Sequence, residues 1–91
     1  SIKNIDTMEI LAEKAREEKY RECIKSCDGT EWMRLILTIR ERMQERIGQG
    51  KKVTSLDERY LKLAEDYLYT ELAVALNIKS EDVPEYINKY L

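Results

Sequence analysis

The segment from Ser55 to Ile78 constrains the fold of this chain more than any other. On a helical wheel of about 100° per residue its apolar side chains cover about half of the circumference. They are Leu56, Tyr60, Leu61, Leu63, Ala64, Tyr67, Leu68, Leu72, Val74 and Ala75, with Tyr69 and Leu76 widening the arc. A helix that is apolar over so wide an arc must be covered by several others. The segment therefore predicts a long, central helix in an all-α fold.

Capping patterns place this helix in a single helical bundle, residues 1–91, with helices at about 7–27, 30–47, 55–77 and 83–90. Asp6 with Glu9 resembles a capping box, and Asp28 caps the second helix. The third helix is started by Ser55 with Glu58, or by Thr54 alone, and Asn77 is placed for a left-handed cap. The first helix either wraps around its neighbours or breaks between Glu17 and Lys19. The bundle therefore has four or five helices.

The second helix carries a core-facing stripe at helical spacing. Its members are Trp32, Leu35, Ile36, Ile39, Met43 and Ile47, and Met33 and Leu37 extend it over the first two turns. We therefore expect Trp32 to be buried against the long third helix.

Composition fits a packed helical protein, with 43% hydrophobic and 37% charged residues. No apolar run approaches the roughly 18 residues of a membrane span, and no targeting or lipidation signature is visible. We expect a cytoplasmic protein that does not contact membranes. The abundance of Glu, Lys, Arg and Ile leans toward thermophile-type usage.

Catalytic chemistry has no visible basis in this sequence. The chain has no histidine, no Gly-rich phosphate loop, and no Ser or Cys with an evident base. Cys23 and Cys27 are too few for a zinc site, and we expect two small buried thiols. The sequence therefore predicts no enzyme, no cofactor, no metal site and no small-molecule substrate.

The middle of the chain is basic, although the net charge is −2. Arg42, Arg46, Lys51 and Lys52 are candidates for contact with nucleic acid or with an acidic partner, or they form a solvated loop.

Two opposite charges fall near the apolar arcs of the second and third helices. Arg40 and Glu71 either reach solvent at the helix edges, form a buried pair, or contact another protein.

The chain has six tyrosines and no phenylalanine. Tyrosine combines apolar area with a hydroxyl that favours a wet edge, which is typical of interfaces. The residues outside the main stripe, Tyr69, Leu76, Tyr86 and Tyr90, therefore predict a surface for a protein partner or for a second copy of the chain.

Residues 71–87, E-L-A-V-A-L-N-I-K-S-E-D-V-P-E-Y-I, resemble a helix-turn-helix pattern. The second helix of that pattern would present Glu81, Asp82 and Glu85 to the phosphate backbone, which disfavours DNA reading. The match indicates chiefly a way of packing two helices.

Three segments resemble the helical domain of archaeal GINS-type DNA replication subunits: M-E-I-L-A-E-K-A-R-E, E-W-M-R-L-I-L and L-D-E-R-Y-L-K-L-A-E-D-Y-L. The resemblance covers about three quarters of the chain. It implies a non-catalytic scaffold that holds replication proteins together.

These patterns favour a non-catalytic helical adaptor that binds another protein, in a DNA replication complex if the resemblance holds. The alternatives are a nucleic-acid-associated accessory protein that uses the basic 40–52 region, and a small helix-turn-helix regulator.

Overall fold

A computed structural model describes the backbone of residues 2–90 and the side chains of residues 11–89. Four α-helices make up most of it: α1 Ile2–Lys25, α2 Gly29–Gly48, α3 Ser55–Leu76 and α4 Val83–Tyr90. A 3-10 turn, Ser80–Asp82, precedes α4, and there is no strand between residues 2 and 90. The prediction of a small all-α bundle is confirmed.

The helices α2 and α3 form an antiparallel pair. Arg42 meets Asp57 toward one end of this pair, and Trp32 meets Tyr67 toward the other. The third long helix, α1, packs against both, since the Tyr20 ring lies 5.5 Å from that of Tyr60 on α3. Because the connections are short, each long helix lies beside the next one in the chain.

The core lies where the three long helices meet. Its buried members are Tyr20, Leu35, Ile36, Ile39, Leu56, Tyr60, Ala64 and Leu68. This confirms the centre of the stripe predicted for α2. At its edges the prediction was wrong: Ile47 at the end of α2 is 58% exposed and Leu37 is 55% exposed. Leu37 lies two residues from both Leu35 and Ile39, which places it about 160° away from them around the helix.

Local capping fixes both ends of α3. The Thr54 hydroxyl accepts the backbone N–H of Asp57 at 3.1 Å, so Thr54 alone provides the N-cap. Asn77 adopts the left-handed conformation with φ 55°, and the N–H of Ile78 reaches the carbonyl of Ala73 at 3.0 Å. The predicted cap at Asn77 is confirmed.

The first helix differs from its predicted bounds. It begins at Ile2 rather than near Thr7, and it runs without a break through Glu17 to Lys19. No glycine or proline between residues 2 and 6 forces a later start. Its end comes earlier than predicted, because Cys27 adopts a left-handed φ of 54°. The side chains of Asp6 and Glu9 lie outside the described residues.

No helix within residues 2–90 has both the length and the apolar content needed to cross a lipid bilayer.

Candidate interface and basic cavity

An apolar surface remains uncovered where the start of α2 meets the C-terminal half of α3. The Trp32 ring lies 5.5 Å from that of Tyr67, and its indole N–H donates to the carbonyl of Ile24 on α1 at 3.3 Å. Tyr67 is 43% exposed and Val74 is 79% exposed. Trp32 is only partly buried, so the prediction of a buried tryptophan is correct for its packing on α3 but wrong for its burial.

These side chains line a shallow groove of about 790 Å³, which we call the Trp32 face. Its other lining residues are Asp66, Thr70, Glu71 and Ala75. Both charged residues in this set are acids, Asp66 and Glu71. The Trp32 face is therefore an apolar surface with an acidic rim.

The tyrosine that opens to solvent on α3 is Tyr67, whereas the sequence indicated Tyr69. Tyr69 is half-buried against the core and accepts a hydrogen bond from Arg40 Nη2 at 3.3 Å. Burial, followed by the nearby Glu65 carboxylate, raises the pKa of the Tyr69 hydroxyl. Tyr69 lies off the main stripe and still packs against the core, because a helix packed by two neighbours also covers positions beside its main stripe.

The other predicted interface residues lie toward the C-terminal end. Leu76 is half-buried in the last turn of α3, and Tyr86 on α4 is 38% exposed. The side chain of Tyr90 lies outside the described residues.

Of the alternatives left open for Arg40 and Glu71, the buried pair does not form. Arg40 Nη2 lies 3.8 Å from the Glu65 carboxylate instead, and both Arg40 and Glu71 are exposed. Glu71 sits beside Gly29, where its Oε2 lies 3.2 Å from the position a Cβ would take. Gly29 and Arg40 are separated by about 16 Å along α2, so the register of the antiparallel pair keeps the two charges apart.

Arg42 forms an ion pair with a buried carboxylate, that of Asp57. Asp57 is fully buried, and its Oδ2 accepts a hydrogen bond from Arg42 Nε at 2.9 Å. Its other oxygen, Oδ1, accepts the Tyr20 hydroxyl at 2.8 Å. Burial, followed by this bond to the carboxylate, raises the pKa of Tyr20. The buried carboxylate thereby has partners on two other helices.

Sequence reasoning missed Asp57. An acid at the third position of a helix ordinarily belongs to the N-terminal cap, and Thr54 makes a cap here. The available signal was its position on the wheel, because Asp57 lies on the same face as Tyr60, Leu61 and Ala64. A carboxylate on such a face requires a buried partner.

The basic residues predicted from the sequence differ in their exposure and in their hydrogen bonds. Arg46 donates from Nε to the carbonyl of Lys52 at 2.8 Å, while the side chains of Lys51 and Lys52 are exposed. Arg42, Arg46 and Lys51 line a cavity of about 360 Å³. Arg16, from α1, joins them there, although no sequence pattern pointed to it. We call this site the basic cavity.

The two cysteines are not equivalent. Cys23 is half-buried, and burial, followed by the Glu31 carboxylate, raises the pKa of its thiol. Cys27 is exposed beyond the end of α1, so the prediction of two buried thiols was wrong for it. The left-handed turn at Cys27 removes it from the helical face that carries Cys23.

Comparison with family models, with curated protein sequences and with solved structures gives no significant match for this chain.

Proposed function

We propose that this chain is a non-catalytic helical adaptor, and that its partner presents a basic amphipathic helix to the Trp32 face. The observation that carries the proposal is the exposed pair of Tyr67 and Val74 beside the half-buried Trp32. Exposed apolar groups that line one groove are typical of protein-binding surfaces.

The rim of the groove favours a basic partner. Asp66 and Glu71 are exposed, lie at the apolar surface and form no ion pair with another described residue. Lysine or arginine on the flanks of an apolar helix would complement both acids. A symmetric dimer through this face would instead place the acids of one copy near those of the other. Charge therefore supports a different protein as the occupant.

Trp32 suits the role of a rigid anchor in such a complex. Its indole N–H is bonded to the backbone of α1 and its ring packs on Tyr67, so its position is set before binding. Tryptophan and tyrosine supply a large part of the binding energy in many interfaces. A partner that covers Tyr67 and Val74 would gain this area at little entropic cost.

A setting in a DNA replication complex is proposed on the sequence resemblance to GINS-type subunits alone. The nucleic-acid alternative has less support, because Glu41 and Glu45 interrupt the positive charge along α2. The helix-turn-helix alternative is disfavoured by the exposed acids Glu81, Asp82 and Glu85.

The proposal is tested by fluorescence, because Trp32 is the chain's only tryptophan. A tryptophan-free peptide of leucine, alanine and lysine in an amphipathic helical pattern should shift Trp32 emission to shorter wavelength, with an affinity that falls as salt rises. The same peptide with glutamate in place of lysine should not. Val74→Glu should weaken binding by about tenfold or more.

Leu37→Glu is the matched control, because Leu37 is also an exposed apolar residue but lies outside the groove. Equal affinity for the basic and acidic peptides, or equal loss in both variants, would refute a basic partner at this face. Sedimentation velocity tests the second-copy alternative: a dimer broken by Val74→Glu alone would replace the heterologous partner with self-association.

A further inference from the structure

We propose that the basic cavity binds one compact phosphate group carried by a small molecule. This site does not depend on the proposed adaptor role, because it lies toward the opposite end of α2. Arg42 follows Trp32 by about 15 Å along that helix. The recognisable chemistry is a phosphate oxyanion, either free or as part of a phosphorylated small molecule.

Hydrogen bonds within the chain hold two arginine side chains of the basic cavity in place. Arg42 uses Nε to bond the buried Asp57, and Arg46 uses Nε to bond the carbonyl of Lys52. Neither bond involves the terminal nitrogens of the guanidinium groups, which have no hydrogen-bond partner among the described residues. An arginine anchored in this way loses little freedom when it binds an oxyanion.

The cavity gathers its charge from three separate elements. Arg16 comes from α1, Arg42 and Arg46 from α2, and Lys51 from the loop that follows. Arg16 and Lys51 make no ion pair among the described residues, so no described acid neutralises either charge. One acid, Glu13, also lines it. Asp57 already neutralises Arg42, so Arg16, Arg46 and Lys51 against Glu13 leave an excess of positive charge among the described residues that favours a phosphate oxyanion.

Shape favours a small ligand over a nucleic-acid backbone. A volume of about 360 Å³ lies at the low end of the range of small-molecule sites. A nucleic-acid strand needs an extended positive track, and the exposed Glu41 and Glu45 on α2 break such a track. The concave site therefore fits a single phosphate group better than a polymer.

Calorimetric titration at constant ionic strength tests the proposal with three probes: inorganic phosphate, pyrophosphate, and an oligothymidylate without terminal phosphates. We expect pyrophosphate to bind one per chain. Arg46→Gln and Lys51→Gln should each weaken its binding by about tenfold, the loss expected for one charge-assisted hydrogen bond. Lys62→Gln removes an exposed lysine of α3 outside the cavity and should leave the affinity unchanged.

Lys51→Gln is the decisive variant if Arg46→Gln does not fold, because Lys51 is an exposed loop residue. Absence of pyrophosphate binding at millimolar concentration would overturn the proposal, as would an equal loss with Lys62→Gln. Tighter binding of the oligothymidylate than of pyrophosphate would also overturn it and assign the cavity to nucleic acid. Val74→Glu should leave pyrophosphate binding intact. A failure of the phosphate proposal can therefore be told apart from a failure of the proposed partner binding at the Trp32 face.

Discussion

Asp57 and Arg42 join α3 to α2 through an ion pair of 2.9 Å between Oδ2 and Nε. The carboxylate is fully buried, whereas the Arg42 side chain is 29% exposed. Tyr20 on α1 donates to the second carboxylate oxygen. One acid therefore connects the three long helices, and its removal should destabilise the whole bundle.

Replacing Asp57 by alanine should lower the free energy of unfolding by about 2 to 4 kcal/mol. The substitution leaves the buried Tyr20 hydroxyl without its acceptor and Arg42 without its counter-ion. Urea denaturation followed by circular dichroism measures the change. Asp66→Ala removes an exposed acid of the same helix and should stay within about 0.5 kcal/mol of the parent. Equal effects of the two substitutions would show that the buried network contributes no stability.

Stability should fall in alkali, and Tyr20 should account for part of the fall. Burial and the Asp57 carboxylate raise the pKa of Tyr20 above its ordinary value of 10.0, so the folded state favours the neutral hydroxyl. Its contribution to stability is complete below pH 10 and is lost as the pH rises through the raised folded-state pKa.

Tyr20→Phe isolates this contribution, because it keeps the ring in the core and removes the titrating group. Denaturant unfolding of both proteins between pH 8 and pH 12 is the measurement. The parent should lose more stability above pH 10 than Tyr20→Phe does. Parallel curves would rule out Tyr20 as a source of the alkaline transition.

Cys27 should react with thiol reagents much faster than Cys23. Cys27 is exposed, whereas Cys23 is half-buried and its raised pKa lowers the thiolate fraction at neutral pH. Iodoacetamide labelling followed by peptide mass spectrometry distinguishes the two sites, and labelling in urea provides the unfolded reference. Equal rates in the native protein would contradict the burial of Cys23.

The apolar stripe of α2 and the caps of α3 were the features that the sequence predicted best. Leu35, Ile36 and Ile39 were predicted to face the core and do so, because helical periodicity alone places them on one side. Asn77 was predicted as a cap, and Thr54 was one of two candidates for the N-cap of α3, because capping chemistry acts within a few residues of the chain. Trp32 was predicted to lie in the core, yet it lies at the edge of the core. A helical wheel shows which side of a helix a residue faces, but it does not show where along the helix the neighbouring helices stop covering that side.

The candidate sites were harder to predict, since each depends on contacts between distant positions. Arg42 was singled out for its charge, but its bond to Asp57 spans 15 residues and its link to Tyr20 passes through that acid. Arg16 was not predicted as a site residue, because it joins the basic cavity only through the packing of α1 on α2.

Amphipathic helices with short connections follow from local sequence patterns, because periodicity, capping and breaker residues act within a few residues of the chain. The covered parts of the broad apolar arc of α3 depend instead on how the helices pack together. Packing buries Leu68 and half-buries Tyr69, and it leaves Tyr67 and Val74 in solvent. The same packing placed Arg42 on Asp57 and separated Arg40 from Glu71. Helix register sets these outcomes, and register is fixed by contacts among all three long helices rather than by any one segment.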